Sequence, residues 1–430
     1  MKLVWAILAV ILLAPSAIAD VTYTKEISRL FQAKCQGCHR AGDIAPFALD
    51  SYDAAKTWGD DIQRVVREKI MPPWKPVDAR GKFKNDFSLT DEERETILAW
   101  YRAEAPEGEA ADLPEALPEI GEWQLGEPDA VIRMPELYNV PRRKDIYRCF
   151  VAPTGFDEDV WLKSVQVVPG NRQVVHHVIL YLDESGRSAE LDAKDEEPGY
   201  ECFGGPGDGI PVTATTMLGG WVPGSRVGLL PDGVGILVPK GARVIVQMHY
   251  YPAGKQHSDQ TKVGLYLAKS TEMLSKRMVF LPLVNIAFRI PSGANNHEVT
   301  ASVPVLPGLQ AQVYMVVPHM HLLGKKIQVT RTKLFSSSSE TLVKIDDWDF
   351  NWQGFYAFEE PVKLNIFDTV KLSCRFDNSA ENPRNPSNPL KDVRWGEGTE
   401  DEMCLSFLGL AFDNPSILDQ FKFNRHNRRR

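Results

Sequence analysis

The stretch VVPHMHLLG, residues 316–324, is the most telling in the chain. Valines open it, Pro318 and Gly324 punctuate it, and His319 and His321 stand two apart inside it. Side chains two apart on a β-strand share one face, so these imidazoles can grip one ion without distorting the backbone. An apolar strand carrying such a pair predicts both a sheet and a metal.

Runs of the same texture surround it. VWLKSVQVVPG (160–170), VVHHVILYLDESG (174–186), GARVIVQMHYYPAG (241–254) and TKVGLYLAKS (261–270) are short, rich in valine and tyrosine, and separated by Gly, Pro and Asn turns. That pattern predicts β-sandwiches. About 300 residues exceed one sandwich, so two are expected, 122–270 and 271–430, meeting near LAKSTEMLSKRM.

The amino-terminal part reads differently. MKLVWAILAVILLAPSAIAD has Lys2, an apolar run from Leu3 to Ala14 and a small-x-small site at Ala17–Ala19, the form of a signal peptide over residues 1–19. The apolar run is short of the ~20 residues a spanning helix needs, and no later segment reaches that length, so an exported, periplasmic location without a stable membrane span is expected. Residues 20–106 read as a small all-α domain. Ile27, Leu30 and Phe31 follow helical spacing with Thr24 placed to cap them, and Thr90 with Glu93 forms a capping box before Ile97 and Leu98. The acidic, proline-rich stretch 107–121 reads as a linker.

Inside the helical segment, KCQGCHRAG (34–42) sets Cys35 and Cys38 two residues apart with His39 following. In an exported chain this spacing predicts a covalent c-type haem, with both thiols on the vinyl groups and His39 as an axial ligand. A zinc site would want a second ligand pair nearby, and thiol exchange would want a βαβ context. Met71, in REKIMPPWKP, is the only methionine of this segment. The proline turn after it can fix a thioether toward the iron. The segment resembles a small c-type cytochrome.

Nine histidines occur in the chain. Five fall in apparent strands: His176 and His177, His249, and His319 with His321. Buried imidazoles need partners, so five in apolar strands point to a metal. Adjacent His176 and His177 face opposite ways on a regular strand and share an ion only at a strand end or bulge. Imidazole sets suit copper, zinc, iron or nickel; a thioether candidate, Met403 in TEDEMCLSF, favours copper, and spacing alone does not select it from the ten methionines. His257, His297 and His426 stand in polar sequence and are assigned no role. A net charge of −8 with 25% charged residues argues against nucleic acid, and the basic end NRHNRRR is short enough to be a solvated tail.

VVHHV, VQMHYY, PHMHLLGKK and DEMCLSF, in this order, resemble the copper type II, ascorbate-dependent monooxygenases over roughly Trp123 to Phe423. The resemblance implies two jelly-roll-like sandwiches, each with one copper ion, facing across a cleft. His176, His177 and His249 would form an electron-transfer site, and His319, His321 and Met403 the catalytic, oxygen-binding one. It also implies the disulfides Cys149–Cys202 and Cys374–Cys404. Peptide-amidating members carry an Arg where this chain has Val317, and Asn and Tyr where it has Leu405 and Phe407, so peptide amidation is not expected.

The expectation is therefore an exported copper monooxygenase. It would hydroxylate a C–H bond of a small organic substrate with O2. Its electrons would come from a periplasmic donor or an ascorbate-like reductant, relayed through the fused haem to the His176 site. The alternative is a periplasmic electron-transfer or copper-binding protein that never hydroxylates. A blue-copper enzyme would need a cysteine ligand set among histidines, and neither Cys374 nor Cys404 has a flanking histidine.

Overall fold

The computed structural model describes residues 21–41, 45–77, 81–84, 86–117, 121–142, 146–213, 215–223, 225, 227–251, 254–269, 272–396 and 398–414. The segment read as a signal peptide and the basic tail lie outside them. Strands dominate and helices are few. The chain divides into two compact units, one from the segments up to 72 and 89–117, the other from 73–88 and 118 onward.

The first unit is helical. Tyr23–Ile27 runs on into Ser28–Lys34, and Tyr52–Thr57, Gly59–Arg67 and Asp91–Arg102 complete the set. Ile27, Phe31, Ile62, Val66, Ile97 and Trp100 form its core. The capping box is as expected, with Glu93 N–H donating to Thr90 Oγ1 (3.0 Å) and Thr90 N–H to the Glu93 carboxylate (2.7 Å). Thr24 does not cap. The helix begins a residue before it, Thr22 takes the N-cap position, and the Glu26 carboxylate reaches back to the Thr22 N–H at 3.0 Å. The orphan N–H groups of Tyr23 and Thr24 instead donate to the carbonyls of Pro106 and Glu107, at 3.0 and 2.9 Å. Residues 106–108 thus lie along the first helical turn, and Gln32 holds the carbonyl of Glu115 at 3.0 Å. The first half of the expected linker is laid down on this unit because it satisfies a helix terminus.

The second unit is built on one long sheet. Its order is Ala130–Arg133, Lys262–Leu267, Val160–Val168, Val234–Val238, Lys276–Asn285, Cys404–Phe412, Ala311–His319, Tyr356–Leu364. The first four strands are the back of one sandwich, whose front is the five-stranded sheet containing Ile146–Pro153, Arg243–Tyr250, Val175–Asp183 and Met217–Trp221. The last four back a second sandwich, fronted by His297–Pro304, Thr369–Phe376, Gly324–Thr332 and Ser339–Ile345. The halves join where Lys276 and Arg277 pair in parallel with Val234 and Gly235. Met315 and Phe407, from the second half, pack on the core of the first.

Two disulfides close the sheets, Cys149–Cys202 and Cys374–Cys404. The second ties the two layers of the second sandwich together one residue after Met403. Two such bonds fit an oxidising compartment. Among the described residues no helix is long and apolar enough to cross a membrane.

Residues 73–77 and 81–84, inside the segment read as helical, pack on the second sandwich. Val77 N–H donates to the carbonyl of Lys344 (2.8 Å), Lys84 N–H to that of Ala357 (2.9 Å), and Glu359 N–H to that of Lys82 (2.9 Å). Phe83 is 2% exposed, with its ring 5.4 Å from Tyr356 and 5.2 Å from Phe358. These two short stretches therefore lie against Ser339–Ile345 and Tyr356–Leu364, covering edge groups that would otherwise stay unpaired.

Candidate metal centres

His177 and His249 stand directly opposite one another in the antiparallel pair formed by Val175–Asp183 and Arg243–Tyr250. The register runs Val175↔Tyr250 and then His177↔His249, so His176 is an extra residue in its strand. That bulge re-aims His176, which a regular strand would turn away. His176 Nδ1 lies 3.1 Å from His177 Nδ1, and His249 Nδ1 lies 3.3 Å from the same atom. A ligand atom from each of the three lies within 4.8 Å of the others. Imidazole nitrogens sit about 2.0–2.1 Å from a bound divalent ion, so two sharing one ion lie roughly 3 Å apart. Burial, reinforced by His249 and His176, holds His177 well below the ordinary histidine range, leaving a neutral ring with a lone pair to give. Tyr147 stacks flat on His249 with centroids 4.1 Å apart and fixes its plane.

The second cluster ends the strand Ala311–His319. His319 Nδ1 meets Gln353 Oε1 at 2.7 Å, and His321 Nδ1 meets the carbonyl of Asp401 at 3.0 Å. With each Nδ1–H donating to an oxygen, each Nε2 keeps the lone pair for a metal, the usual outer support of a ligating histidine. Burial pushes His319 down to about 3 and His321 to about 4, so both are neutral near pH 7. The ladder pairs His319 with Leu405. His321 and Met403 each lie two residues beyond that pair, at the same end of the two strands.

A carboxylate holds this end together. Glu402 is fully buried and accepts from the backbone N–H groups of His321 (2.9 Å), Leu323 (2.6 Å) and Met403 (3.2 Å). Burial pushes its carboxyl up to about 8 against the pull of those donors. The loop following Ser339–Ile345 adds three more supports. Trp348 Nε1–H donates to the carbonyl of His321 (3.2 Å), Gln353 holds His319, and Phe350 contacts a histidine from each cluster. The Phe350 ring stacks on His176 at 5.6 Å and meets His321 edge-on at 5.7 Å.

Residues 292–415 match the family model described as copper type II ascorbate-dependent monooxygenase, C-terminal domain. That match supports this monooxygenase family. The matched span contains His319, His321, Met403, Glu402, Gln353 and the Cys374–Cys404 disulfide. A copper-dependent oxidoreductase is the activity the family implies, and the donor sets described above fit copper. Two solved structures share a weak likeness. One is titled "Structure of infectious bursal disease virus Gx strain" (9% identity, 68% of this chain, 83% of that one, TM-score 0.18). The other is "Crystal structure of infectious bursal disease virus VP2 subviral particle" (7%, 70%, 89%, TM-score 0.15). At these scores the likeness carries no argument.

In the helical unit, Cys35 closes the helix Ser28–Lys34, and the N–H groups of Cys38 and His39 both return to its carbonyl. His39 Nδ1 is 3.1 Å from the carbonyl of Phe47, so Nε2 is the nitrogen left for a ligand role. Burial pushes the Cys35 thiol up to about 12, with Cys38 adding to it, which is unlike a thiol poised for exchange. Met71 follows the helix Gly59–Arg67, its N–H on the carbonyl of Val65.

Proposed function

We propose that the chain is a copper monooxygenase that hydroxylates a C–H bond of an apolar organic substrate. The observation that carries this is the paired donor geometry within one unit: three convergent imidazoles at 176, 177 and 249, and beside them His319 and His321 with each Nδ1 already committed to an oxygen. The family match over 292–415 supports the same reading.

Copper held by His176, His177 and His249, and by His319, His321 and Met403, would supply one-electron redox chemistry and oxygen activation. The chain's own residues do the rest. Gln353 and the Asp401 carbonyl fix the proton on each Nδ1 and so aim each ring. Glu402 locks the backbone of both His321 and Met403. Val317 pairs with Phe407 and His319 with Leu405 on successive same-face positions, so apolar side chains flank His319 where a carboxylate clamp would need an arginine. This supports an apolar substrate and argues against a peptide carboxylate.

Cys35, Cys38, His39 and Met71 would hold a covalent haem, whose chemistry there is one-electron transfer. The chain passes between the units at 72–73 and 88–89 as well as at 117–118. Covalent tethering in one chain would raise the effective concentration of such a donor for the His176 site. Export, by way of residues 1–19, supplies the compartment in which haem attachment and both disulfides are made.

Oxygen uptake with an added reductant, and a hydroxylated product from an apolar substrate panel, test this reading. Uptake should vanish in His319→Ala. A copper-loaded protein that consumes no oxygen with any donor is an electron carrier or copper binder instead.

A further inference from the structure

Three loops meet at the end of the second sandwich opposite the His319 cluster. Phe367 N–H donates to the carbonyl of Val305 at 2.7 Å, and Val305 N–H to that of Asp368 at 2.8 Å. Arg331 Nε donates to Asp368 at 2.8 Å, drawing the end of Gly324–Thr332 to the same point. From these loops five large apolar side chains face solvent: Leu306, Leu334, Phe335, Ile366 and Phe367. Phe335 is 98% exposed. Phe335 and Phe367 both have positive φ, 60° and 65°, a conformation a phenylalanine adopts only when its surroundings impose it.

The charge distribution is as uneven as the burial. Residues 304–310, 333–338 and 365–368 contain one acid, Asp368, which is buried against Arg331. Their other charged side chain is the exposed Lys333, and Ser336, Ser337 and Ser338 follow it. The other acids at this end are ion-paired, Glu340 to the same Arg331 at 3.1 Å and Asp413 to Lys276 at 3.5 Å, so the loop tips themselves carry no unpaired carboxylate.

We propose that this end is a membrane-surface anchor, with Phe335, Leu334, Phe367, Ile366 and Leu306 inserting into the headgroup–acyl boundary of a lipid bilayer. The shape selects lipid over a protein. One or two side chains projecting from each of three loop tips present little flat area, whereas a stable protein interface takes roughly 800 Å² from each partner. A bilayer accepts such protrusions, since apolar groups need bury only about 5–10 Å deep. The serine hydroxyls and Lys333 suit the headgroup layer. The inference is independent of copper, because nine residues of strand separate this end from His319, roughly 26 Å at the usual rise per residue.

The test is co-sedimentation of the full-length chain with vesicles of phosphatidylcholine alone and of phosphatidylcholine with phosphatidylglycerol in equal parts. The wild type should bind both, within a few-fold of each other, and resist added salt. Phe335→Gly with Phe367→Gly should weaken binding at least tenfold without lowering the melting temperature, because glycine relieves both positive-φ positions. Phe335→Ser alone, which removes an exposed ring, should show a partial loss. A wild type that stays in the supernatant, or a double variant that binds equally, overturns the proposal. Binding confined to the anionic vesicles and abolished by salt overturns it as well, in favour of purely electrostatic adsorption. So does a wild-type dimer that the double variant turns into monomer, which would assign the tip to a second copy of this chain.

Discussion

Phe350 stacks on His176 with ring centroids 5.6 Å apart and planes 22° from parallel. The two residues come from different sandwiches, and the same phenylalanine meets His321 edge-on at 5.7 Å. One ring therefore touches a histidine of each cluster. Phe350→Ala leaves all six proposed ligands in place, so both coppers should still bind. The spread of copper–copper distances measured by pulsed EPR should widen. An unchanged distribution would show that the continuous sheet alone fixes the approach.

Gln353 sets the donor nitrogen of His319 through a 2.7 Å hydrogen bond. Gln353→Leu keeps the bulk and removes the acceptor. Loss of such an outer partner weakens a metal site by about 10–100-fold. Competition with a copper chelator should show that loss for one ion, and none at the His176 cluster.

Glu402 gathers three backbone N–H groups in a fully buried pocket. Each buried donor left without a partner costs about 1–3 kcal/mol. Glu402→Ala in the metal-free protein should therefore lose several kcal/mol, on the order of 3 or more, in denaturant unfolding. Glu402→Gln retains an acceptor oxygen and should lose less. Equal losses would mean that Glu402 contributes little through those bonds.

Phe83 lies more than 200 positions before the strands it packs on in the sequence, yet it is buried against Tyr356 and Phe358. Phe83→Ala should cost about 3–5 kcal/mol, as for other buried phenylalanines. Hydrogen exchange should speed up in Ser339–Ile345 and Tyr356–Leu364, while the five-stranded sheet of the first sandwich keeps its protection. Faster exchange confined to the helical unit would contradict the packing described here.

Local periodicity made the strands and the His319–His321 pair readable, because period two is a property of the strand itself. His176 was not readable in the same way. Its direction depends on a bulge set by pairing with Tyr250 and His249, more than seventy residues on. Glu402 sits in the acidic run TEDE, which looks like solvated surface until tertiary packing buries it. Gln353, Trp348 and Phe350 belong to a loop whose aromatic density, DWDFNWQG, was the one available hint. Thr24 looked like a cap, and lost that role to Glu26 and the returning chain at Pro106. The Trp74–Phe83 stretch read as part of the helical segment, since nothing local announces pairing with strands so far away.

The most direct measurement is the copper-to-iron ratio of full-length protein matured with haem and then loaded with copper. Two tightly held coppers per haem iron is the predicted result, falling to one in His249→Ala and in Met403→Ala. A single copper in the unaltered protein, or none that survives dialysis, would contradict the account.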